Sequence, residues 1–600
     1  MCGIIGCVGR EEETLDVVVS GLDRLEYRGY DSAGVALANG TVDVVKRAGE
    51  LKHLHEALDG VEPTGLVGIG HTRWSTHGPP TDENAHPHTD SQGMVAVVHN
   101  GIIENYRELR EELRDAGHEF RSDTDTEVVP RLVEEALHDG LSPEAAFYRA
   151  ISRIDGSYAI AAVIAGEDAV FAARNDSPLV LGIDDEATYL GSDVPAFLEH
   201  TNRIVYLEDD EFAVLRPGEW SVTDAEGTPV EKAVDTVEWD VEDTGKAGYD
   251  HYMKKEIHEQ PDALRQCLSG RVDELDGRVE LEELDELPRP ERVQFVACGT
   301  SYHAALFGAQ LFRDRGVPAQ AFLASEYATT PPPVDGDLVI GVTQSGETAD
   351  TLAALRTAAG RGANTLAVTN VVESTAAREC DDVVYIRAGP EIGVAATKTF
   401  SSQLVTLSLL VEATTADRTT DDPWTVLAAL RDLPEQVQAV LDRSAVDDIV
   451  EEYVGSTGYF FIGRRYNYPV ALEGALKFKE ITYEHAEGFP AGELKHGTLA
   501  LVTEKTPVFA VVTGDDEAAR RTVDSVKEVE ARDAPVVAVT DGRTDVERYA
   551  DAVLRVPESH PRTAPLLANI HLQLIAYHVA DALGRSIDKP RHLAKSVTVQ

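Results

Sequence analysis

Six hundred residues exceed what one hydrophobic core can organise and predict about three or four domains. Hydrophobic residues make up 43% and charged residues 26%, a globular composition, while a formal net charge of −51 argues against nucleic acid and anionic membranes as partners. The acidic residues are spread along the chain as a solvating surface, and self-repulsion on this scale fits a saline cytoplasm, where screening is short-ranged.

The chain opens Met1-Cys2-Gly3-Ile4-Ile5-Gly6, with no basic n-region, and no stretch approaches the roughly 18 apolar residues of a membrane span. Cys2, Cys7, Cys267, Cys298 and Cys380 lack paired metal-ligand spacing, so a reducing, cytoplasmic setting without metal or disulfides is expected. Removal of Met1 would leave Cys2 with a thiol and a free α-amine, whose pKa of about 7.7–8 suits it to accept the thiol proton. A small buried cysteine in a first strand with Ile4, Ile5 and Val8 explains the residue equally well.

Leu15, Val18, Val19, Leu22 and Leu25 mark an amphipathic helix; Val35–Leu37, Val67–Ile69, Val95–Val98 and Tyr158–Ile164 predict strands. Polar clusters interrupt the strand ends: Arg28–Ser32, His71–Gly78, His99-Asn100-Gly101 and Ser122–Glu127. An amino-acid substrate needs a guanidinium for its carboxylate, a carboxylate for its ammonium and donors for a tetrahedral oxyanion. Arg73, Asp125, and Asn100 with the Gly101 N–H have that chemistry. Taken singly, each cluster reads as a turn, Asn-Gly above all as a hairpin.

Together these motifs resemble the glutaminase domain of the class II, N-terminal-nucleophile amidotransferases. The resemblance implies a four-layer α/β/β/α sandwich that hydrolyses L-glutamine, with Cys2 as nucleophile. It further implies Arg73 and Thr76 at the substrate carboxylate, Asp125 at its amine, Asn100 and Gly101 at the oxyanion, His77 among the glutamine-binding residues, and Trp74 as gate of an ammonia channel. It leaves the nitrogen acceptor open.

Residues 221 to about 250 turn acidic and weakly periodic, a linker leading into Tyr249–Pro261. From Arg292 the chain repeats itself: Val293–Thr300 has the form of Tyr459–Arg464, Val342-Thr343 that of Val512-Thr513, and Ala367–Asn370 that of Ala538–Asp541. Strands and helices alternating at a nearly constant offset predict two doubly wound α/β domains with ligands at the carboxyl ends of their strands. In the first copy, the apolar Leu338–Val342 runs into Thr343-Gln344-Ser345-Gly346-Glu347-Thr348 and then a helix bearing Leu352, Leu355 and Ala359. Such a turn presents backbone N–H groups and the helix dipole to a phosphate, although an ordinary cap by Ser345 or Thr348 would also produce it. Cys298-Gly299-Thr300-Ser301 supplies a second hydroxyl-rich strand end. The second copy carries Gly514-Asp515-Asp516-Glu517 instead, whose carboxylates repel an anion. A nucleotide P-loop pattern is absent, so ATP is not expected.

The tandem resembles the sugar-isomerase fold. Leu472–Glu480, Gly492–Gly497 and Pro590–Val599 are similar to catalytic segments of the glutamine:fructose-6-phosphate aminotransferase family. Thr343 stands where a serine is usual, as does Ala396 in Val394–Lys398, and Gln600 replaces a terminal Glu. The resemblance implies fructose 6-phosphate bound by Thr300, Ser301, Thr343, Gln344, Ser345, Thr348 and Val394. It also implies Lys595 as Schiff base, His496 as ring-opening acid/base and Glu480 as proton shuttle, with Lys477 nearby. Without it, Lys477 and Glu480 are an exposed i,i+3 pair and Lys595 a frayed terminus. The expected plan is a glutaminase domain over 1–220, a linker over 221–282, sugar-isomerase domains over 283–425 and 440–588, and a catalytic tail over 589–600, acting as a cofactor-free homodimer. A sugar-phosphate sensor, or a glutamine-dependent sugar aminotransferase that does not isomerise, remains open at this level.

Overall fold

The computed structural model describes all residues except 1, 11–12, 30, 62, 75–77, 238–245, 247, 274–276, 285–286, 335, 373, 419–422 and 598–600. The chain divides into two compact units, one of Met1–Thr244 with Ala594–Gln600, the other of Gly245–Leu593. None of the helices among the described residues is long and apolar enough to cross a membrane.

In the first unit, period-two alternation builds two cores from the same strands. Val95 and Val97 of the strand Val95–Ile103 enter one hydrophobic cluster, Ala96 and Val98 another; Ile160 and Ala162 divide from Ala159 and Ala161 in the same way on Gly156–Ile164. The first cluster lies under the helices Tyr106–Asp115, Val128–His138 and Pro143–Ile151. The second also takes Ile4, Val8, Val67 and Ile69, and so lies between two antiparallel sheets. The larger sheet runs Asp235–Thr236, Arg203–Tyr206, Val180–Ile183, Thr188–Gly191, Gly3–Val8, Val67–Arg73, Ser32–Ala38, Val42–Ala48. The smaller runs Glu219–Thr223, Glu211–Arg216, Val170–Asn175, Gly156–Ile164, Val95–Ile103, His88–Thr89. Thr14–Leu25 packs on the outer face of the larger sheet, with Val18 and Leu22 close to Ile5 and Gly70. This is the expected α/β/β/α sandwich.

The second unit holds two five-stranded sheets, all parallel, with the same strand order 2-1-3-4-5. In the first, Val293–Ala297 lies between Ala319–Leu323 and Leu338–Val342, followed outward by Asn364–Thr369 and Asp382–Tyr385. In the second, Tyr459–Gly463 lies between Ala486–Pro490 and Val508–Val512, followed by Val536–Thr540 and Ala552–Arg555. Both are the doubly wound domains expected, and in each the strand order reverses between its first and third strands, where ligands settle in such sheets.

The segment read as linker is largely structured. Glu219–Thr223 and Asp235–Thr236 are strands of the first unit. Tyr252–His258 and Gln260–Leu268 are helices whose Met253, Ile257, Leu264 and Cys267 are buried in the core of the second. Asp588 fixes the start of the first, its carboxylate accepting the N–H groups of Tyr252 at 2.9 Å and Met253 at 3.0 Å. The acidic run at 238–245 lies outside the described residues.

Candidate functional site

Cys2 immediately precedes the buried strand Gly3–Val8 and is itself half-buried. Its Sγ lies 3.3 Å from the Trp74 N–H that donates to it and 3.5 Å from the Trp74 carbonyl. Two side chains donate to the Cys2 carbonyl: Arg28 Nε at 3.1 Å and Asn100 Nδ2 at 3.0 Å. Arg28 is anchored by Asp193 at 3.1 Å. Asn100 and Gly101 are not a hairpin turn; both lie inside the strand Val95–Ile103. Gly101 adopts φ +122°, and a Cβ there would stand 2.0 Å from the Ser157 carbonyl oxygen, so only glycine lets the neighbouring strand approach.

Arg73 ends the strand Val67–Arg73 and is buried. Burial lowers its pKa, against the opposing pull of the Cys2 thiol, Asp125 and Asp31, so these groups share one electrostatic environment. Asp125 is buried and accepts the Ile103 N–H at 2.8 Å, which ties it to the strand carrying Asn100. Thr76 and His77 lie outside the described residues. Sequence reasoning quoted Arg28 without giving it a role; its hold on the Cys2 carbonyl depends on a fold that joins residues 2, 28 and 193.

In the second unit, two helices begin at the switch point of the first sheet. Gly299–Asp314 follows Val293–Ala297, Ala349–Ala359 follows Leu338–Val342, and neither has a side-chain cap. Thr348 occupies the N-cap position, yet its hydroxyl lies 3.1 Å from that of Thr343. The Thr348 side chain therefore does not cap this helix, whose N-terminal end carries the dipole polarity that favours an anion. Thr343 Oγ1 also accepts the Gly346 N–H at 3.3 Å, a contact that the departure from serine preserves. Ser345 Oγ accepts the Glu347 N–H at 3.1 Å, and the Gln344 carbonyl accepts the Asn370 N–H at 3.0 Å, so the turn is preformed. In the second copy Asp516 accepts the Ala519 N–H at 2.9 Å, and a carboxylate of the chain fills the place an anion would take. Val394 is buried, and its N–H donates to the Asp588 carbonyl at 3.1 Å.

A buried charge network joins the two sugar-isomerase domains. Glu473, fully buried on Asn467–Thr482, accepts from Thr300 Oγ1 at 2.9 Å and lies 2.7 Å from His303 Nδ1 and 3.5 Å from Lys477 Nζ. Lys477 lies 2.6 Å from Glu480 and has a 1% exposed side chain, so the pair is not the exposed surface pair its spacing also allowed. Burial raises the pKa of Glu480, and the neighbouring Glu473 charge adds to this, against Lys477. Glu473 is held low despite its burial, by Lys477 and the contacts from His303 and Thr300. Burial also opposes the charge on Lys477, but Glu480 and Glu473 outweigh it and raise its pKa. One neighbourhood thus holds two carboxyl groups shifted in opposite directions, with an ammonium between them whose charge both favour. Glu473 and His303 carried no assigned role in the sequence reading, although the i,i+4 spacing of Glu473 and Lys477 puts both on one helical face. Ser301 accepts from Gln403 at 2.9 Å.

His496 is exposed after the short turn Glu493–Lys495, and its side chain is joined to neither Glu480 nor Lys477 among the described residues. Lys595 is half-buried in the terminal segment that groups with residues 1–244.

Residues 71–199 match the glutamine amidotransferase domain family, and residues 286–413 and 456–581 match the SIS domain family. Over its full length, and over the whole of each relative, the chain is 52% identical to the glutamine–fructose-6-phosphate aminotransferase (isomerizing) of Halobacterium salinarum and 47% identical to that of Methanosarcina acetivorans. The chain belongs to the glutamine:fructose-6-phosphate aminotransferase family. A solved structure, the C-terminal domain of glucosamine-fructose-6-phosphate aminotransferase from Francisella tularensis, is 37% identical, with a TM-score of 0.55 over 58% of this chain and all of its own. For an aminotransferase of this family, a glutaminase sandwich and two sugar-isomerase domains in one chain are the expected architecture.

Proposed function

We propose that the chain transfers the amide nitrogen of L-glutamine to D-fructose 6-phosphate and isomerises the adduct to D-glucosamine 6-phosphate, releasing L-glutamate. This reaction opens amino-sugar synthesis. The observation that carries the reading is the Glu473–Lys477–Glu480 network, its first two members buried, which Thr300 ties to the strand end beside the Thr343–Thr348 turn. A sensor needs the turn alone, whereas a proton shuttle needs the carboxyl of raised pKa beside it.

At the first centre the Cys2 thiol, deprotonated by its own α-amine once Met1 is removed, attacks the glutamine amide carbon. Asn100 Nδ2 and the Gly101 N–H take the oxyanion, Arg73 with Thr76 and His77 holds the substrate carboxylate, and Asp125 its ammonium. Collapse breaks the C–N bond, ammonia leaves with the amine's proton, and water hydrolyses the thioester to glutamate. At the second, Thr343, Gln344, Ser345, Thr348, Ser301 and Val394 with Thr300 hold the sugar phosphate. His496 opens the ring, and Lys595 binds C2 as a Schiff base that ammonia displaces. Glu480 then removes a C1 proton and returns it to C2, which leaves the carbonyl at C1. Trp74 gates the passage of ammonia. The same reading makes the protein a cytoplasmic homodimer that binds neither nucleic acid nor membrane, domain by domain as the sequence divides it.

Supplied with amide-labelled glutamine and fructose 6-phosphate, the wild type should yield labelled glucosamine 6-phosphate and the Cys2→Ala variant none. Labelled amino sugar from Cys2→Ala at the wild-type rate would sink the assignment.

A further inference from the structure

Behind the Cys2 site lies a buried imidazole to which the mechanism above assigns no part. His71 sits on the strand Val67–Arg73, opposite Ile4 on one side and Gly34 on the other, and is 0% exposed. Its Nε2 lies 3.1 Å from Asn100 Oδ1 and 3.0 Å from the carbonyl oxygen of His99. Among the described residues its Nδ1 is buried without a hydrogen-bond partner, and the His86 ring lies against it at a centroid separation of 4.3 Å. Burial pushes its pKa down to about 3, so the ring is neutral and carries one proton.

The surroundings decide where that proton sits and which way the Asn100 amide faces. With the hydrogen on Nε2, both neighbouring oxygens accept from it, and Asn100 Nδ2 faces the Cys2 carbonyl as a donor at 3.0 Å. Turning the amide over would set its oxygen against the Cys2 carbonyl. The proton would have to move to Nδ1, leaving an unpaired N–H in the interior and a bare Nε2 lone pair facing the His99 carbonyl. That arrangement exchanges hydrogen bonds for two acceptor–acceptor contacts and an orphaned donor, each unfavourable in a buried site. An amide nitrogen carries two N–H bonds. With one on the Cys2 carbonyl, the other is the donor an oxyanion formed at Cys2 can use.

We propose that His71 is a positioning residue for glutamine hydrolysis: its Nε2–H locks the Asn100 side-chain amide with the nitrogen towards Cys2. The inference rests on Cys2 as the nucleophile and deepens that reading. Because Asn100 acts on the oxyanion and not on the bound amide, the lock works on kcat and leaves ground-state binding of glutamine alone.

The test compares His71→Leu, His71→Gln and His71→Asn with wild type in the full-length enzyme, reading glutamate release at saturating sugar phosphate. His71→Leu has no donor, and its glutaminase kcat should fall about 10²-fold, the scale of losing one oxyanion donor, with KM for glutamine little changed. The glutamine amide at 71 can reach Asn100 Oδ1 and should recover most of the loss; asparagine, one methylene shorter, should not. L-Glutamate γ-semialdehyde, whose hemithioacetal with Cys2 places an oxygen at the oxyanion position, should lose affinity in step with kcat, while product glutamate binds as before. Unchanged kcat in His71→Leu overturns the proposal. So does equal kcat in the Gln and Asn variants, a comparison that also decides the matter if His71→Leu fails to fold. Cys2→Ala separates the two levels. If it still hydrolyses glutamine, the nucleophile reading itself fails; if it is inactive while His71→Leu is unimpaired, only the role of His71 falls.

Discussion

Substituting Gly346 by alanine tests whether the Thr343–Thr348 turn holds the sugar phosphate. Gly346 has φ +73°, and a Cβ built there would lie 2.0 Å from Ser374 Oγ and 2.3 Å from Ser374 Cβ. Holding alanine in the left-handed region costs roughly 1–2 kcal/mol, and forcing a methyl into a filled site about 1–3 kcal/mol more. The turn therefore gives up about 2–5 kcal/mol if it keeps its shape. It can relax instead by shifting backbone, which moves the N–H groups that face the phosphate. At about 1.4 kcal/mol per tenfold, even the lower bound raises KM for fructose 6-phosphate more than tenfold. The second contact sharpens the test, because rotating the Ser374 hydroxyl away leaves its Cβ in place. Ser374→Ala should not rescue Gly346→Ala, whereas Ser374→Gly removes both clashing atoms and should recover the steric part. Amino-sugar formation against fructose 6-phosphate concentration, with calorimetric binding of the sugar phosphate alongside, reads the effect. An unchanged KM in Gly346→Ala, or equal rescue by the two Ser374 variants, would refute the reasoning.

Glu473→Gln should destabilise the protein by about 3–5 kcal/mol near neutral pH, as expected when a buried ion pair loses one partner. Because Glu473 is held below the usual glutamate range, its contribution is present above that range and lost as pH falls from there through the lowered folded-state value, so denaturant midpoints of variant and wild type should converge in acid. Trp74→Ala should release more glutamate than amino sugar, and equal yields would count against Trp74 as a gate. The net charge of −51 predicts a thermal midpoint that rises between dilute buffer and molar KCl, and a flat response would remove the saline reading of the composition.

The sheets were legible because alternation and continuous apolar runs state burial directly: Val95–Val98 divides between two cores and Leu338–Val342 is buried throughout. The Asn-Gly pair misled local reasoning, since a positive φ that signals a turn is used here inside a strand, where Ser157 leaves no room for a Cβ. The site residues divide along the same line. Thr343 and Thr348 could be named because a turn of six residues contains its own chemistry. His71, Arg28 and Glu473 act on groups far away in sequence, and nothing in their immediate neighbours says which carbonyl or hydroxyl they meet. The helix Asn467–Thr482 shows how far spacing alone reaches: it puts Glu473, Lys477 and Glu480 on one face and says nothing of what covers that face. Burial and the charges of the three groups on one another shift the two carboxyls in opposite directions, and Thr300 and His303, brought there by the first sheet, add to the lowering at Glu473. The chemistry therefore depends on the packing of two similar domains against each other. Copies with the same strand order thus differ at their strand ends: the second lends the helix Asn467–Thr482 to the network around Thr300 and caps its own later helix with Asp516.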